Sequence, residues 1–388
     1  MKKSILVFAL LASFLAGVCT TLSAWSLLQK PEQEPESPAL EKAKEVYQVL
    51  DECYIGDVDE ALMCDTVAEA MVYATGDRWS YYISAEDLEE HMEQISNSYV
   101  GIGVTVQLSE ENSFRVMEVV PGGPAFQAGV KEGDEFVSVD GTSCEGLELT
   151  DLRNLVRGEE GTEVQITFSR DGKEMEYTIV RASLETEVVS DKMIGDTGYI
   201  AIYNFDATSA RKSIDAVKRL QAEGAKALVF DVRYNPGGLK NELVKLLDFL
   251  LPEGPLFRSE DYLGRVSVDK SDADCVDLPM VVLINQDSYS AAEFFAAALS
   301  EYGAAKTVGT QTCGKDYFQV TQTLSDGSAI NLSIGKYYTP NGVSLADVGG
   351  LTPDETVELS EEDAMELAMH RLDPAEDEQL QAALALLK

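Results

Sequence analysis

Three patterns predict a multidomain α/β chain whose largest part carries a mostly parallel sheet. Beyond Asp191, strand-like and helix-like runs alternate over 199–203, 209–223, 227–232, 239–251, 280–284 and 291–299, and that rhythm implies βαβ units. Residues 100–183 break instead into short strands separated by turn signals such as Pro121-Gly-Gly-Pro-Ala125 and Asp140-Gly141. Residues 39–99 carry apolar side chains at helical intervals, with Val46, Tyr47, Leu50 and Tyr54 on one face. A chain of 388 residues, 45% of them hydrophobic, has the material for two or three packed cores.

The N-terminus opens on Lys2 and Lys3, and residues 4–18 form an almost unbroken apolar run that resumes through Ala24, Trp25, Leu27 and Leu28. Residues 1–28 therefore read as a signal peptide or a membrane anchor: Leu22-Ser-Ala24 fits a cleavage site, and 4–28 is long enough to span a bilayer, which favours the anchor. With the two lysines inside, the body of the protein lies outside the cytoplasm. Val18 stands where a lipidated cysteine would have to follow, so Cys19 is not read as a lipid site. Residues 29–38, rich in Pro and Glu, form a linker. The 39–99 region, plain in composition, is read as a packing or homodimerising element and not as part of a site. The segment 361–388 is acidic and helical in pattern.

Acidic residues outnumber basic ones 68 to 30, a formal net charge of −38, which argues against nucleic acid and anionic membrane surfaces as partners. No phosphate-binding loop and no metal-ligand spacing occurs, so no cofactor and no metal are expected. Cys53, Cys64, Cys144, Cys275 and Cys313 form no CxxC; Cys53 and Cys64 are the pair placed for a disulfide.

Candidate chemistry concentrates on Ser290 and Lys315. Ser290 follows the apolar run 280–284 and precedes an alanine-rich helix, which puts its hydroxyl at a strand-to-helix turn beside free helix N–H groups. The same Ser290-Ala-Ala-Glu293 also fits a capping box. Lys315 lies among glycines and apolar residues, where desolvation would free its amine to take a hydroxyl proton. The two histidines, His91 and His370, sit in polar helical stretches and read as surface residues, so the base is assigned to lysine. Asp231-Val-Arg-Tyr-Asn-Pro-Gly-Gly238 ends a strand in two glycines whose N–H groups suit an oxyanion hole.

The ordered turns and strands of 100–183 resemble a PDZ domain. Val100, Gly101, Ile102 and Gly103 stand where that family binds a terminal carboxylate while the peptide adds as a strand. From about Val46 to Val357 the chain resembles the C-terminal processing, or tail-specific, protease family. Asp231 to Gly238, Ser290 to Glu293, Gly314-Lys315 with Gln319, and Gly350-Leu-Thr-Pro-Asp354 occur in that family's order. The resemblance implies a crotonase/Clp-like α/β protease core over 184–360 and a serine endopeptidase acting near the C-termini of protein substrates, with tails recognised and activity gated by the PDZ domain. It implies Ser290 as nucleophile, Lys315 as general base, Gln319 as the group orienting the lysine, and an oxyanion hole from Gly237 or Gly238 with Ala291. Tyr289, Ala292, Cys313 and Asp316 depart from the usual residues. Asp316, beside the base, is expected to favour the charged ammonium and so gives weight to the alternative, a catalytically silent tail-binding pseudoprotease.

Overall fold

The computed structural model describes residues 37–109 and 112–388; the signal or anchor of 1–28 lies outside the described residues. Among them, no helix is long and apolar enough to cross a membrane. The chain divides into two compact units at Ala68/Glu69. The first holds helix α1, Pro38–Cys53, whose N-cap Ser37 accepts from Ala39 N–H and whose first turn begins with Pro38. Helix α2, Glu60–Tyr73, begins in the same unit, and Tyr47 Oη donates to Glu60 Oε1 at 2.9 Å. Neither helix has a buried residue, and Leu40, Val46, Val49 and Leu62 stand exposed. Cys53 and Cys64 are free, against the disulfide expected from sequence; each sits exposed on its own helix.

The second unit begins with structure that the helical reading of 39–99 did not foresee. After a turn at 77–80 comes strand β1, Tyr81–Ile83, then helix α3, Leu88–Ser96, then β2, Ser98–Gly101. Two-residue periodicity was hidden there because β1 is only three residues long. The PDZ-like sheet follows: β3 Val104–Leu108, β4 Phe114–Val119, short helix α4 Pro124–Ala128, β5 Glu135–Val139, β6 Thr142–Ser143, helix α5 Leu149–Val156, β7 Glu163–Arg170 and β8 Lys173–Val180. Its order is β3-β4-β5-β7-β8, with β6 on β5. Phe114, Val116, Val164, Ile166 and Phe168 alternate with outward residues and meet Leu152 of α5 in one core. Strand β9, Ala182–Glu185, pairs antiparallel with β2, so the same two-stranded ribbon opens and closes the module.

The remaining chain runs β10 Val189–Ile194, β11 Thr197–Ile202, α6 Ser209–Glu223, β12 Ala227–Asp231, α7 Lys240–Leu250, β13 Gly254–Asp261, β14 Val266–Ser271, β15 Met280–Ile284, α8 Ala291–Glu301, β16 Ala305–Gly309, β17 Tyr317–Thr323, β18 Ala329–Tyr338, α9 Leu345–Val348, β19 Glu355–Thr356, α10 Glu361–Ala368 and α11 Glu378–Leu386. One sheet has the order β10-β11-β12-β15-β16-β19; its pairs are parallel except β10 with β11. Strand β12 shows why residues 227–230 are apolar: Leu228 and Phe230 pack under α6, α7 and α8, whereas Val229 joins Val281, Leu283 and Val308 beneath Leu380 and Ala383 of α11. Helix α8 is buried from Ala291 to Leu299, which accounts for its alanine-rich, all-round apolar composition. A second sheet, antiparallel in every pair, has the order β1-β18-β13-β14 with β17 on β18. The alternating pattern of 191–299 gave no sign of it.

Candidate active site

Ser290 ends the turn between β15 and α8 with φ 56° and ψ −124°, a conformation that costs a non-glycine residue energy and that its surroundings must impose. They do so with buried bonds. Asn285 N–H donates to Ser288 Oγ, which donates to Val232 O at 2.7 Å; Tyr289 N–H donates to Asn235 O. Glu293, wholly buried, accepts from Ser290 N–H at 2.9 Å and from Lys315 N–H at 2.8 Å through Oε2. Its Oε1 accepts from Gly314 N–H and Thr312 Oγ1. Burial pushes the Glu293 carboxyl up, and these four donors pull it back down. The capping-box glutamate is thus also the tie between the serine turn and the lysine loop.

The glycine loop is set against the same turn. Gly237 has φ 91°, and a Cβ there would stand 2.8 Å from Ser290 Cβ; one on Gly238, at φ 143°, would stand 2.5 Å from the Phe205 carbonyl carbon. Only glycine fits either place. Gly237 N–H donates to Asn235 Oδ1 at 2.8 Å, while Gly238 N–H and Ala291 N–H have no acceptor among the described residues. Asn235, itself buried, is fixed by its Nδ2 donating to Ile202 O. Behind the loop, Arg233 is buried between Asp231 and Asp377, with Gln379 Oε1 accepting from Nη1 at 2.9 Å.

Ser290, Gly237, Gly238, Lys315 and Gln319 line one cavity of about 620 Å³. Lys315 Nζ lies 4.4 Å from the Trp79 ring centroid and 5.8 Å from that of Tyr289. Burial lowers its pKa from the ordinary lysine value; Asp77, Cys313 and Glu293 oppose that and Arg78 assists it. Asp316 is fully buried, accepts from Ser344 Oγ through Oδ2, and its charge helps raise the pKa of Lys336. Gln319 Nε2 donates to Ser333 Oγ at 2.9 Å, and no bond joins Gln319 to Lys315.

Sequence reasoning missed the wall contributed by 77–96. Arg78, Trp79, Tyr81, His91 and Ile95 all line the cavity. The Asp77 carboxylate accepts from Trp79 N–H at 3.0 Å and Ser80 Oγ at 2.6 Å, which shapes the turn; Ser80 Oγ in turn accepts from Ser333 N–H and seats it on β18. His91, expected at the surface, presents Nε2 buried and without a partner, and burial holds its pKa below the usual imidazole value. His370 is exposed and packs on Tyr203, 4.7 Å between ring centroids, away from Ser290. Arg78 Nη2 reaches Cys313 Sγ at 3.4 Å.

In the PDZ-like module a second groove, about 340 Å³, is lined by Gly101, Ile102, Gly103, Leu152 and Val156. The carbonyls of Ile102 and Gly103 accept from Ala125 and Val120 N–H, while their own N–H groups have no backbone acceptor among the described residues. Val100 does not line the groove. Alternation along β2 turns it to a separate cleft beside Arg153 and Glu90. At that boundary Arg153 pairs with Glu90 and Arg157 with Glu93, so α3 carries ion pairs to the module and His91 and Ile95 to the Ser290 cavity.

Residues 196–357 match the family model for peptidase family S41, and residues 115–170 that for the PDZ domain. A protein of Staphylococcus aureus described as a "Probable CtpA-like serine protease" is 31% identical over 323 residues, covering 82% of this chain and 65% of that protein. The chain thus spans about 65% of the length of the curated relatives it matches first. Among solved structures, a photosystem II D1 C-terminal processing protease is 25% identical, covers 82% of this chain and 86% of its own, and superposes with a TM-score of 0.48. An S41-type protein of Bacteroides fragilis, 20% identical over 82% of this chain and 89% of its own, gives 0.50 and shows a shared fold.

Proposed function

We propose that the chain is a member of peptidase family S41, whose family model matches residues 196–357, and that it is a serine endopeptidase working through a Ser290/Lys315 dyad on protein substrates near their C-termini. The observation that carries the reading is Glu293, one buried carboxylate bonded to the backbone N–H of both Ser290 and Lys315. Neutral Lys315 takes the Ser290 proton as Oγ attacks the scissile carbonyl carbon. The N–H groups of Gly238 and Ala291 receive the oxyanion, Gly237 N–H being taken by Asn235. The lysine proton then passes to the leaving amine, and water releases the acyl group by the reverse sequence. Gln319, held by Ser333 in the same cavity, keeps the lysine loop oriented.

Residues 100–183 serve as the PDZ module, with the N–H groups of Ile102 and Gly103 for a tail's carboxylate, and 184–360 as a crotonase/Clp-like core. Ligand binding at the groove gates the cavity: Lys315 rests on Trp79, not on Ser290, and α3 joins the two places. Residues 1–28 direct or anchor the protein outside the cytoplasm. The unburied apolar side chains of α1 and α2 suit a homodimer contact. The test is hydrolysis of an unstructured protein with an apolar C-terminus. Wild type cleaves it; Ser290→Ala and Lys315→Ala, folded by circular dichroism, do not. Near-normal turnover in Lys315→Ala would sink the dyad.

A further inference from the structure

Resting on that peptidase reading, we infer that Asp206 is a specificity-determining residue, receiving a lysine or arginine side chain of the substrate next to the bond cut. Asp206 lies between β11 and α6 and lines the Ser290 cavity. A Cβ on Gly238 would come 2.8 Å from its Oδ1, so the carboxylate stands beside the glycine whose N–H faces the scissile carbonyl. Its backbone is fixed, with N–H donating to Asn204 Oδ1 at 3.1 Å and its carbonyl accepting from Ser209 N–H. Its carboxylate has no donor among the described residues.

The cations sharing the cavity are engaged elsewhere. Lys240 pairs with Asp269 at 2.9 Å, Lys315 lies on Trp79, and Arg78 lies 4.1 Å from the same ring centroid. Burial alone pushes the Asp206 carboxyl up to about 7, with no neighbouring charge acting on it. A carboxylate desolvated without a partner is costly, and a substrate donor relieves that cost only when it is present. The aromatic rings of Tyr81, Tyr289 and Phe318 supply apolar surface for the aliphatic stem of such a side chain. The same carboxylate repels a terminal carboxylate or an acidic residue, which favours cuts inside the tail over removal of its last residue.

The experiment uses the full chain at pH 8.5 and a set of unstructured proteins with one apolar tail, differing only by lysine, norleucine or glutamate on either side of the cut. Labelling of Ser290 by a fluorophosphonate probe runs in parallel. Wild type should prefer lysine over norleucine at one position by roughly tenfold or more in kcat/KM, with glutamate poorest. Asp206→Asn should bring the lysine-to-norleucine ratio near one while still labelling, and Asp206→Lys should turn the preference towards glutamate. Cleavage with no lysine preference, or a preference kept in labelled Asp206→Asn, overturns the role of Asp206. Absence of both labelling and cleavage in wild type overturns the peptidase reading itself.

Discussion

On the wall of the Ser290 cavity formed by 231–238 and 285–293, Asn235, Ser288 and Glu293 are bonded and have no exposed surface. On the opposite wall, formed by 77–96, Trp79 and His91 are half-buried, and α3 is tied to the PDZ module by ion pairs whose side chains remain 20–38% exposed. Buried bonds leave one arrangement; partly exposed ion pairs are worth little singly and can exchange partners. The proposed nucleophile and oxyanion donors therefore sit on the more tightly bonded of the two walls. Lys315 sits between the two, its backbone N–H bonded on the first and its ammonium against Trp79 on the second.

Removing Glu293 should break that contrast most severely. Glu293→Ala leaves three backbone N–H groups and one hydroxyl unpaired, which should cost roughly 3–5 kcal/mol of stability, read from urea unfolding. Misplacing the serine turn against the lysine loop should lower kcat by a factor on the order of 100 or more in whatever protein folds. A kcat within a few-fold of wild type would show that the first wall does not depend on this tie.

Cutting the ties of the second wall should do the reverse. Arg153→Ala with Arg157→Ala should cost less than about 1 kcal/mol per exposed pair, yet a tail peptide bound in the groove should no longer change turnover of a short peptide lacking a free C-terminus. If the peptide effect persisted unaltered, coupling would not run through α3. The smallest effect concerns Lys315. As the proposed base it acts neutral, so kcat/KM should rise with pH through its depressed pKa. Asp77 raises that pKa; Asp77→Asn, which keeps the side-chain shape, should move the rising limb to lower pH. A shift to higher pH would remove Asp77 from the environment of the lysine.

The first wall was legible in sequence because each of its demands leaves a local mark. Gly237 and Gly238 occupy backbone angles closed to other residues, Ser290 follows five buried strand residues, and Glu293 stands three positions on. The second wall leaves no such mark. Trp79 and His91 meet the site through β1 pairing with β18 some 250 residues away, Tyr82 against Ile330 for one, and a three-residue strand carries no usable period. Asp316 shows the converse: adjacency in sequence suggested a partner for Lys315, but the hydrogen bond its carboxylate accepts comes from Ser344, 28 positions on. The pairing of the antiparallel sheet is poorly legible for a related reason, since its long strands β17 and β18 are mostly half-exposed or exposed and carry no continuous apolar run.

Arg233 connects the glycine loop to residues 377 and 379, and its bond to Asp377 closes over 144 positions of chain. A polypeptide emerges from its N-terminus onward. During synthesis the serine, the lysine and both glycines are therefore all made before the anchor that clamps the glycine loop from behind. Until that anchor arrives, a buried guanidinium has only half of its carboxylate partners, an arrangement that is costly to hold. The placement makes the final seating of the glycine loop a late event: 231–238 is clamped from behind only once residues 377 and 379 have folded back onto it.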